Sequence, residues 1–586
     1  MLWQGKSGSA IPPDEIRTEL VRVLSSGHFI NARRSSRFLR FVVEQAVECH
    51  AERVREQVLG REVFDRDESF NPSIDPIVRV EANRLRSKLQ RYFRSEGRSD
   101  PVLIQLKKGG YVPWFRRRVT LTPRPATARA PAVAVLPLQN LDDDPDQDFL
   151  CEGIAEELIR ALSKVDGLRV IAWSSTRRLK GAAYDIRSVG AQLKVSAALE
   201  GSIRRVGRRM RIAAQLIDTG DCSCLWSDVV ESGAGDVPAI PERIAHAIVG
   251  ALPVERVRSP ARAAMQMADK PELYSLYLKA RYHVNRRTAE GLAKATEYFE
   301  CLIAEQPDYA RAHAGLAEAC ALHAWYCFTA PNLVMPKAKA SALKAVKADS
   351  RLAEAHLASG LVSELYDWDW SKARQSLRLA VDLSPGSATT LFEYGFLLSR
   401  MGELDESFLL MRRARELDPL SPVINTNLGV NYYYQRQYGL AVRQYIEALE
   451  LDSSYQPAYY RLALAHLQQG SVAEAQACLD KAEQLTGSSS RLRALSGYAM
   501  ARAGRRVAAR TILNELLAPA QDRYISPVSV ALLYLGLHET RAALDWLEHA
   551  REEHDVSLVD LNVDPLYDPL RSLPRFRRLL ASMNLV

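Results

Sequence analysis

Cysteine is scarce in this chain of 586 residues, with eight spread along it at positions 49, 151, 222, 224, 301, 320, 327 and 478. No CxxC pair occurs among them, so neither a disulfide scaffold nor a cysteine-rich metal cluster is written into the sequence. The CSC at 222–224 has no neighbouring His or Cys to complete four ligands. The acidic run DDDPDQD at 142–148 lacks the spaced acids and closing Glu of a calcium loop. No apolar run approaches the roughly 18 residues that span a bilayer. The opening MLWQGKSGSAIPPDEI has no apolar secretory core. The expectation is a soluble, reduced, cytoplasmic protein with no membrane partner. Catalytic signatures are missing too. There is no HExxH, no dinucleotide glycine fingerprint and no nucleophile–base set, and GKS at 5–7 lacks the upstream glycine of a phosphate loop. The 11 histidines form no ligand pattern. No enzyme, cofactor or metal is expected.

Charge is present, and it is localised. The net charge is +8, and residues 1–120 hold 23 basic against 15 acidic side chains, which accounts for all of it. The remaining 55 basic and 55 acidic residues balance. An excess confined to one end points to a polyanion partner for that end alone.

The basic segment centres on DPIVRVEANRLRSKLQRYFRSEG, residues 75–97. Asp75 reads as an N-cap, Pro76 as the first helical residue, and Gly97 as the left-handed residue that ends a helix. Val78, Ala82, Leu85, Leu89 and Tyr92 form one apolar stripe of period 3.6. Arg79, Arg84, Arg86, Lys88, Arg91 and Arg94 lie opposite, against Glu81 alone. Helical patterns precede it at 13–27, at 35–48 from a Ser cap, and at 54–64. After it, 103–106 and 111–115 read as a hairpin around Lys107-Lys108-Gly109-Gly110.

Helix, short helix, basic helix and hairpin follow the order of a winged helix-turn-helix. VEANRLRSKLQ followed by GGYVPWF resembles the OmpR-type DNA-binding domain over about residues 36–115. The resemblance implies double-stranded DNA as partner, with the basic helix in the major groove. It places Val80, Glu81 and Arg84 toward base edges, with Arg79, Ser87, Lys88 and Arg91 on the same surface. Lys107 and Lys108 become the tip of a wing on the backbone, and Arg34, Ser35 and Arg37 a phosphate contact. One departure is a predicted helix where that family has a small sheet. A homodimer on DNA stands as a hypothesis.

The proline-rich, acid-free stretch 119–131 is an extended linker of at most ~40 Å. Beyond it, strand and helix patterns alternate from AVAVLPL (132–138) to a helix ending near 252, which predicts a parallel α/β core, with a hairpin turn at RVGRR (205–209). AVLPLQNL, EGIAEELIRAL and LEGSIRR resemble the TolB-like amino-terminal domain. The resemblance assigns a fold and no catalytic residue.

The C-terminal half repeats every 34 residues: Gly395, Gly429, Ala463, Gly497 and Ala531 form one series, and Ala414, Ala448 and Ala482 belong to another. This is the tetratricopeptide pattern, about eight helix–turn–helix units with an insertion at 326–336 and a final helix. Such arrays hold a protein or peptide partner in a concave groove. Tyr394, Asn427, Asn431, Tyr434 and Arg461, on first helices of repeats, are the candidate groove residues. The expected fold is therefore multidomain and mainly α. A winged helix-turn-helix (12–118) and linker (119–131) precede a TolB-like α/β domain (132–253) and a tetratricopeptide α-solenoid (270–586). The implied function is a DNA-binding transcriptional regulator whose repeats bind partners. The alternative is a scaffold that uses its winged helix as a docking module.

Overall fold

The computed structural model describes residues 12–585 except 49, 51–52, 69, 73, 98–99, 107–109, 118–130, 143, 145–146, 182–183, 208, 253–270, 488 and 519–523. Most of the linker and the predicted wing tip, Lys107 and Lys108, therefore lie outside the described residues. The chain divides into two compact units, residues 1–128 and 129–586.

The first unit runs α1 (Pro13–Ser25), α2 (Arg33–Val47), α3 (Glu56–Phe64), α4 (Ile77–Arg94), β1 (Val102–Leu106) and β2 (Pro113–Arg117). The two strands pair antiparallel, from Val102 opposite Arg117 to Leu106 opposite Pro113. α4 packs on α2, α3 and β1. Its apolar stripe of Val78, Ala82, Leu85, Leu89 and Tyr92 is buried, at 0–3% exposure, in one core with Phe38, Val42 and Leu59. Phe38 meets Phe64 edge to face at 5.3 Å.

Several local expectations shift. α2 begins at Arg33 behind Ala32, without a side-chain cap, because Ser35 is buried in the first turn at 5% exposure. α4 begins at Ile77, and Asp75 Oδ1 accepts from the Ile77 amide at 3.0 Å, so the acid still serves a free first-turn donor. Gly97 is not left-handed. Its amide bonds the Tyr92 carbonyl at 3.0 Å, and an added Cβ would lie 2.3 Å from the Tyr92 ring. Glycine is needed there for space.

The second unit opens with an α/β domain: β3 (Ala132–Val135), β4 (Gln139–Asn140), α5 (Asp148–Ser163), β5 (Arg169–Val170), α6 (Trp173–Thr176), α7 (Ile186–Leu193), β6 (Ala197–Val206), β7 (Arg209–Asp218), β8 (Cys224–Gly233) and α8 (Ile240–Ala251). The sheet order is β5-β3-β6-β7-β8, with β4 also on β6. β3 runs parallel to β5 and β6, but β6, β7 and β8 are antiparallel. The predicted parallel core is thus a mixed sheet. Val206 and Arg209 are joined by a tight hairpin, with Gly207 at φ 62°, and a tight hairpin forces antiparallel pairing.

Helix pairs follow, each first helix before its second: α9 (Pro271–Arg286) and α10 (Ala289–Glu305), α11 (Ala310–Trp325) and α12 (Pro331–Ala348), α13 (Ala353–Leu365) and α14 (Trp370–Leu383), α15 (Ala388–Arg400) and α16 (Leu404–Leu417). The array continues with α17 (Pro422–Tyr434) and α18 (Tyr438–Leu451), α19 (Gln456–Gln469) and α20 (Val472–Thr486), α21 (Ser490–Arg502) and α22 (Arg506–Leu517), α23 (Pro527–Gly536) and α24 (Thr540–Glu552), then α25 (Pro574–Ser582). The stretch read as an insertion is half helix, since 331–336 opens α12. The 34-residue series marks helix crossings. A Cβ on Gly429 would lie 2.4 Å from the Tyr445 ring, and one on Gly497 2.6 Å from Leu533.

The α/β domain docks along the edge of the solenoid where one repeat passes to the next. The Ala172 amide bonds the Leu417 carbonyl at 2.8 Å, and Ser174 and Ser175 both donate to Asp418. One repeat on, Arg178 pairs with Asp452 at 3.1 Å. Toward the first repeats, Arg311 reaches Glu157 at 2.7 Å and Arg281 reaches Glu156 at 3.1 Å. Residues 554–585, here called the strap, cross the first helices of the repeats. Two short 3-10 turns, Val556–Asp560 and Pro565–Leu570, carry them.

Candidate nucleic-acid interface and repeat groove

On α4 the exposed side chains include Arg79, Val80, Asn83, Arg84, Ser87 and Arg91, one helical face opposite the buried stripe. Cations differ in what holds them. Arg79 Nε pairs with Glu56 at 2.9 Å across to α3, which raises its pKa. Arg84 is 65% exposed, and its Nη1 donates to Glu81 Oε1 at 2.7 Å. Arg91 has no side-chain partner among the described residues.

Two predicted contacts, Glu81 and Ser35, are corrected, and two more, Lys88 and Arg37, are held by partners within the unit. Glu81 is 3% exposed, so its carboxylate orients Arg84 and faces no base edge. Lys88 is half buried, and its Nζ donates to the His28 carbonyl at 3.1 Å. Ser35 is buried. Arg37 forms a two-pronged pair with Asp65 at 2.7 and 2.8 Å and also donates to the Glu62 carbonyl. The hydrogen bond from Arg37 holds the Asp65 carboxyl below its usual range. Arg37 therefore ties α2 to the end of α3. Arg34 remains exposed. Arg86, read as outward, instead donates to the Gly110 carbonyl at 2.7 Å and to Asn83 Oδ1 at 2.8 Å. It ties α4 to the hairpin, where the Tyr111 ring lies 6.5 Å from Phe38. Sequence reasoning missed Asn83, although it sits three residues after Val80 on the same face. An Asn on such a face can pair with adenine through its amide.

Three of the five predicted groove residues are buried within the chain. Tyr394, Asn431 and Tyr434 are at most 3% exposed. Asn431 turns toward Met411 on α16, and Asn427 Nδ2 donates back to the Val423 carbonyl at 2.9 Å. Arg461 Nη2 lies 3.9 Å from Asp560 of the strap. At the centre, Arg400 is 2% exposed and pairs with Glu364 at 2.6 Å and Asp560 at 2.9 Å. It also lies 4.0 Å above the Phe396 ring. Burial raises the Glu364 carboxyl and pushes Asp564 up to about 6. The strap carries aspartates at 560, 564 and 568, four residues apart, but nothing in that spacing tells that they return to the groove.

Among the described residues, no helix is long and apolar enough to cross a membrane. Residues 129–245 match the family described as HilA/YgeH-like transcriptional regulator, second domain, which is the α/β domain. Residues 456–488 match the tetratricopeptide repeat. The chain therefore carries a HilA-like transcriptional-regulator domain and tetratricopeptide repeats. Putative adenylate cyclase 3 of Rhizobium meliloti (strain 1021) is 35% identical over 204 residues, 34% of each chain. Transcriptional regulator HilA of Salmonella typhimurium is 22% identical over 350 residues, 59% of this chain and 61% of that one. The chain thus spans a third of the first relative's length and under two thirds of the second's. Among solved structures, PilW, a widely conserved type IV pilus biogenesis factor, is 23% identical and covers 34% of this chain and 92% of that one at a TM-score of 0.29. That likeness carries no further argument.

Proposed function

We propose that the chain is a cytoplasmic transcriptional regulator that binds duplex DNA through α4. Residues 12–118 act as an OmpR-type winged helix, residues 132–253 as a TolB-like sensor domain, and the repeats as a binding array for protein partners. The observation that carries this reading is the outer face of α4: Val80, Asn83, Arg84, Ser87 and Arg91 stand exposed on a helix whose opposite face is locked in the core. The net positive charge of the chain lies in the same unit. The match of the next domain to a regulator family supports the reading. The proposed function involves no catalysis, and the likeness to a putative cyclase covers a third of each chain.

The test is binding of the full chain to the duplex upstream of its own coding region, titrated with salt. Regulation predicts an affinity that falls steeply as salt rises, because each neutralised phosphate releases counterions. Salt-independent or absent binding would leave the first unit as a protein-docking module.

A further inference from the structure

The first helices of the repeats do not present an open groove, because the strap fills it. Its four aspartates meet groove donors in turn. Asp555 accepts from Ser526 Oγ and from the Val528 amide at 3.3 Å. Asp560 accepts from Arg400 Nε at 2.9 Å and lies beside Arg461. Asp564 accepts from the Tyr433 hydroxyl at 3.1 Å, and Asp568 from Arg436 Nη2 at 2.7 Å. Val556, Leu558, Val559, Leu561, Leu566 and Leu570 are buried between them.

The strap is nonetheless an incomplete ligand. Arg400 Nη2 and the Tyr434 hydroxyl are buried with no hydrogen-bond partner, on side chains 2% and 1% exposed. Both are donors, and a buried donor without an acceptor is costly. The groove thus offers more donor capacity than its own occupant satisfies, and what it lacks is carboxylate or carbonyl oxygen.

We propose that this groove takes an acidic segment of a partner protein, folded in short turns like the strap, in place of the strap. The segment carries carboxylates at the four-residue spacing of Asp560, Asp564 and Asp568, with further acceptors for Arg400 and Tyr434. The inference rests on reading the repeats as a protein-binding array. The strap is then a tethered competitor, and the fraction of time it is undocked scales the affinity seen by any partner.

The probe is a labelled synthetic peptide of residues 553–570, EHDVSLVDLNVDPLYDPL, read by fluorescence anisotropy. It is titrated with the unaltered full chain and with the chain carrying Asp560→Asn and Asp564→Asn. The doubly substituted chain, whose own strap is weakened, binds the peptide at least tenfold more tightly. A peptide with Asn at 560, 564 and 568 binds it at least tenfold more weakly. Hydrogen exchange on the unaltered chain runs beside this, with amides of 556–570 expected to exchange at least tenfold faster than those of α15 and α17. Strap amides that exchange only in step with α15 and α17 would overturn the proposal, making the strap a permanent part of the fold and leaving partner binding to another surface. Fast strap exchange with no peptide binding would overturn it differently, removing this face as a protein-binding surface altogether.

Discussion

Arg400 on α15 and Asp560 on the strap meet at 2.9 Å, 160 residues apart in the chain. Glu364 on α13 closes the other side of the guanidinium at 2.6 Å. Three charges are thereby held together among first helices, with both Glu364 and Arg400 at 2% exposure or less.

Arg400→Ala is expected to be the costlier cut. It leaves Glu364 buried without its cation, and breaking a buried pair from one side costs about 3–5 kcal/mol. Asp560→Ala leaves Arg400 paired with Glu364 and costs less. Thermal unfolding of the two variants orders them.

Arg84→Ala with Arg91→Ala is expected to weaken DNA binding; losing Arg91 as a phosphate contact reduces the salt slope by roughly 0.9, and losing Arg84 at a base edge relaxes sequence preference. Arg37→Ala leaves the slope unchanged. Arg37 and Asp65 are 50% and 74% exposed, so solvent screens the pair and its loss costs little stability. Parallel salt titrations and melting curves separate the two effects.

Glu19 imposes a pH dependence on the first unit. Its carboxyl is 1% exposed, and burial, with the Asp100 carboxyl hydrogen-bonded beside it, pushes its pKa up to about 8 from 4.5. The folded state therefore holds a proton that the unfolded chain releases. That contribution is full below pH 4.5 and is lost as pH rises through about 8, at a slope of at most about 1.4 kcal/mol per pH unit. Unfolding of the first unit followed from pH 5 to 8 shows the fall, and Glu19→Gln flattens it.

Two glycines of one 34-residue series are expected to differ. A Cβ at Gly429 would lie 2.4 Å from the rigid Tyr445 ring, whereas at Gly395 the nearest atom is Met411 Cγ at 3.1 Å. Gly429→Ala should cost about 1–3 kcal/mol as overpacking. Gly395→Ala should cost less, because a methionine side chain can give way. Melting temperatures of the two variants decide it.

Periodicity determined much of this protein before any coordinates. A helix exposes its 3.6-residue pattern in the chain itself, so the buried stripe Val78–Tyr92 and the small residues at 395, 429 and 497 were legible as local facts. The strands of the α/β domain were legible too, and the hairpin turn at 205–209 marked one antiparallel pair; the pairing of β3 between β5 and β6 was not, because it joins distant segments. The candidate interface was half legible. Charge placed Arg84 and Arg91 on the outer face, but it could not distinguish them from Arg37, Arg86 and Lys88. Those three are held by Asp65, the Gly110 carbonyl and the His28 carbonyl, all more than twenty residues away. The groove shows the same division most plainly. The sequence by itself determined that repeats would stack and present first helices. Only the tertiary structure decided that residues 554–585 return to cover them, because a buried ion pair such as Arg400 with Asp560 forms wherever folding brings the partners together and leaves no period in the chain.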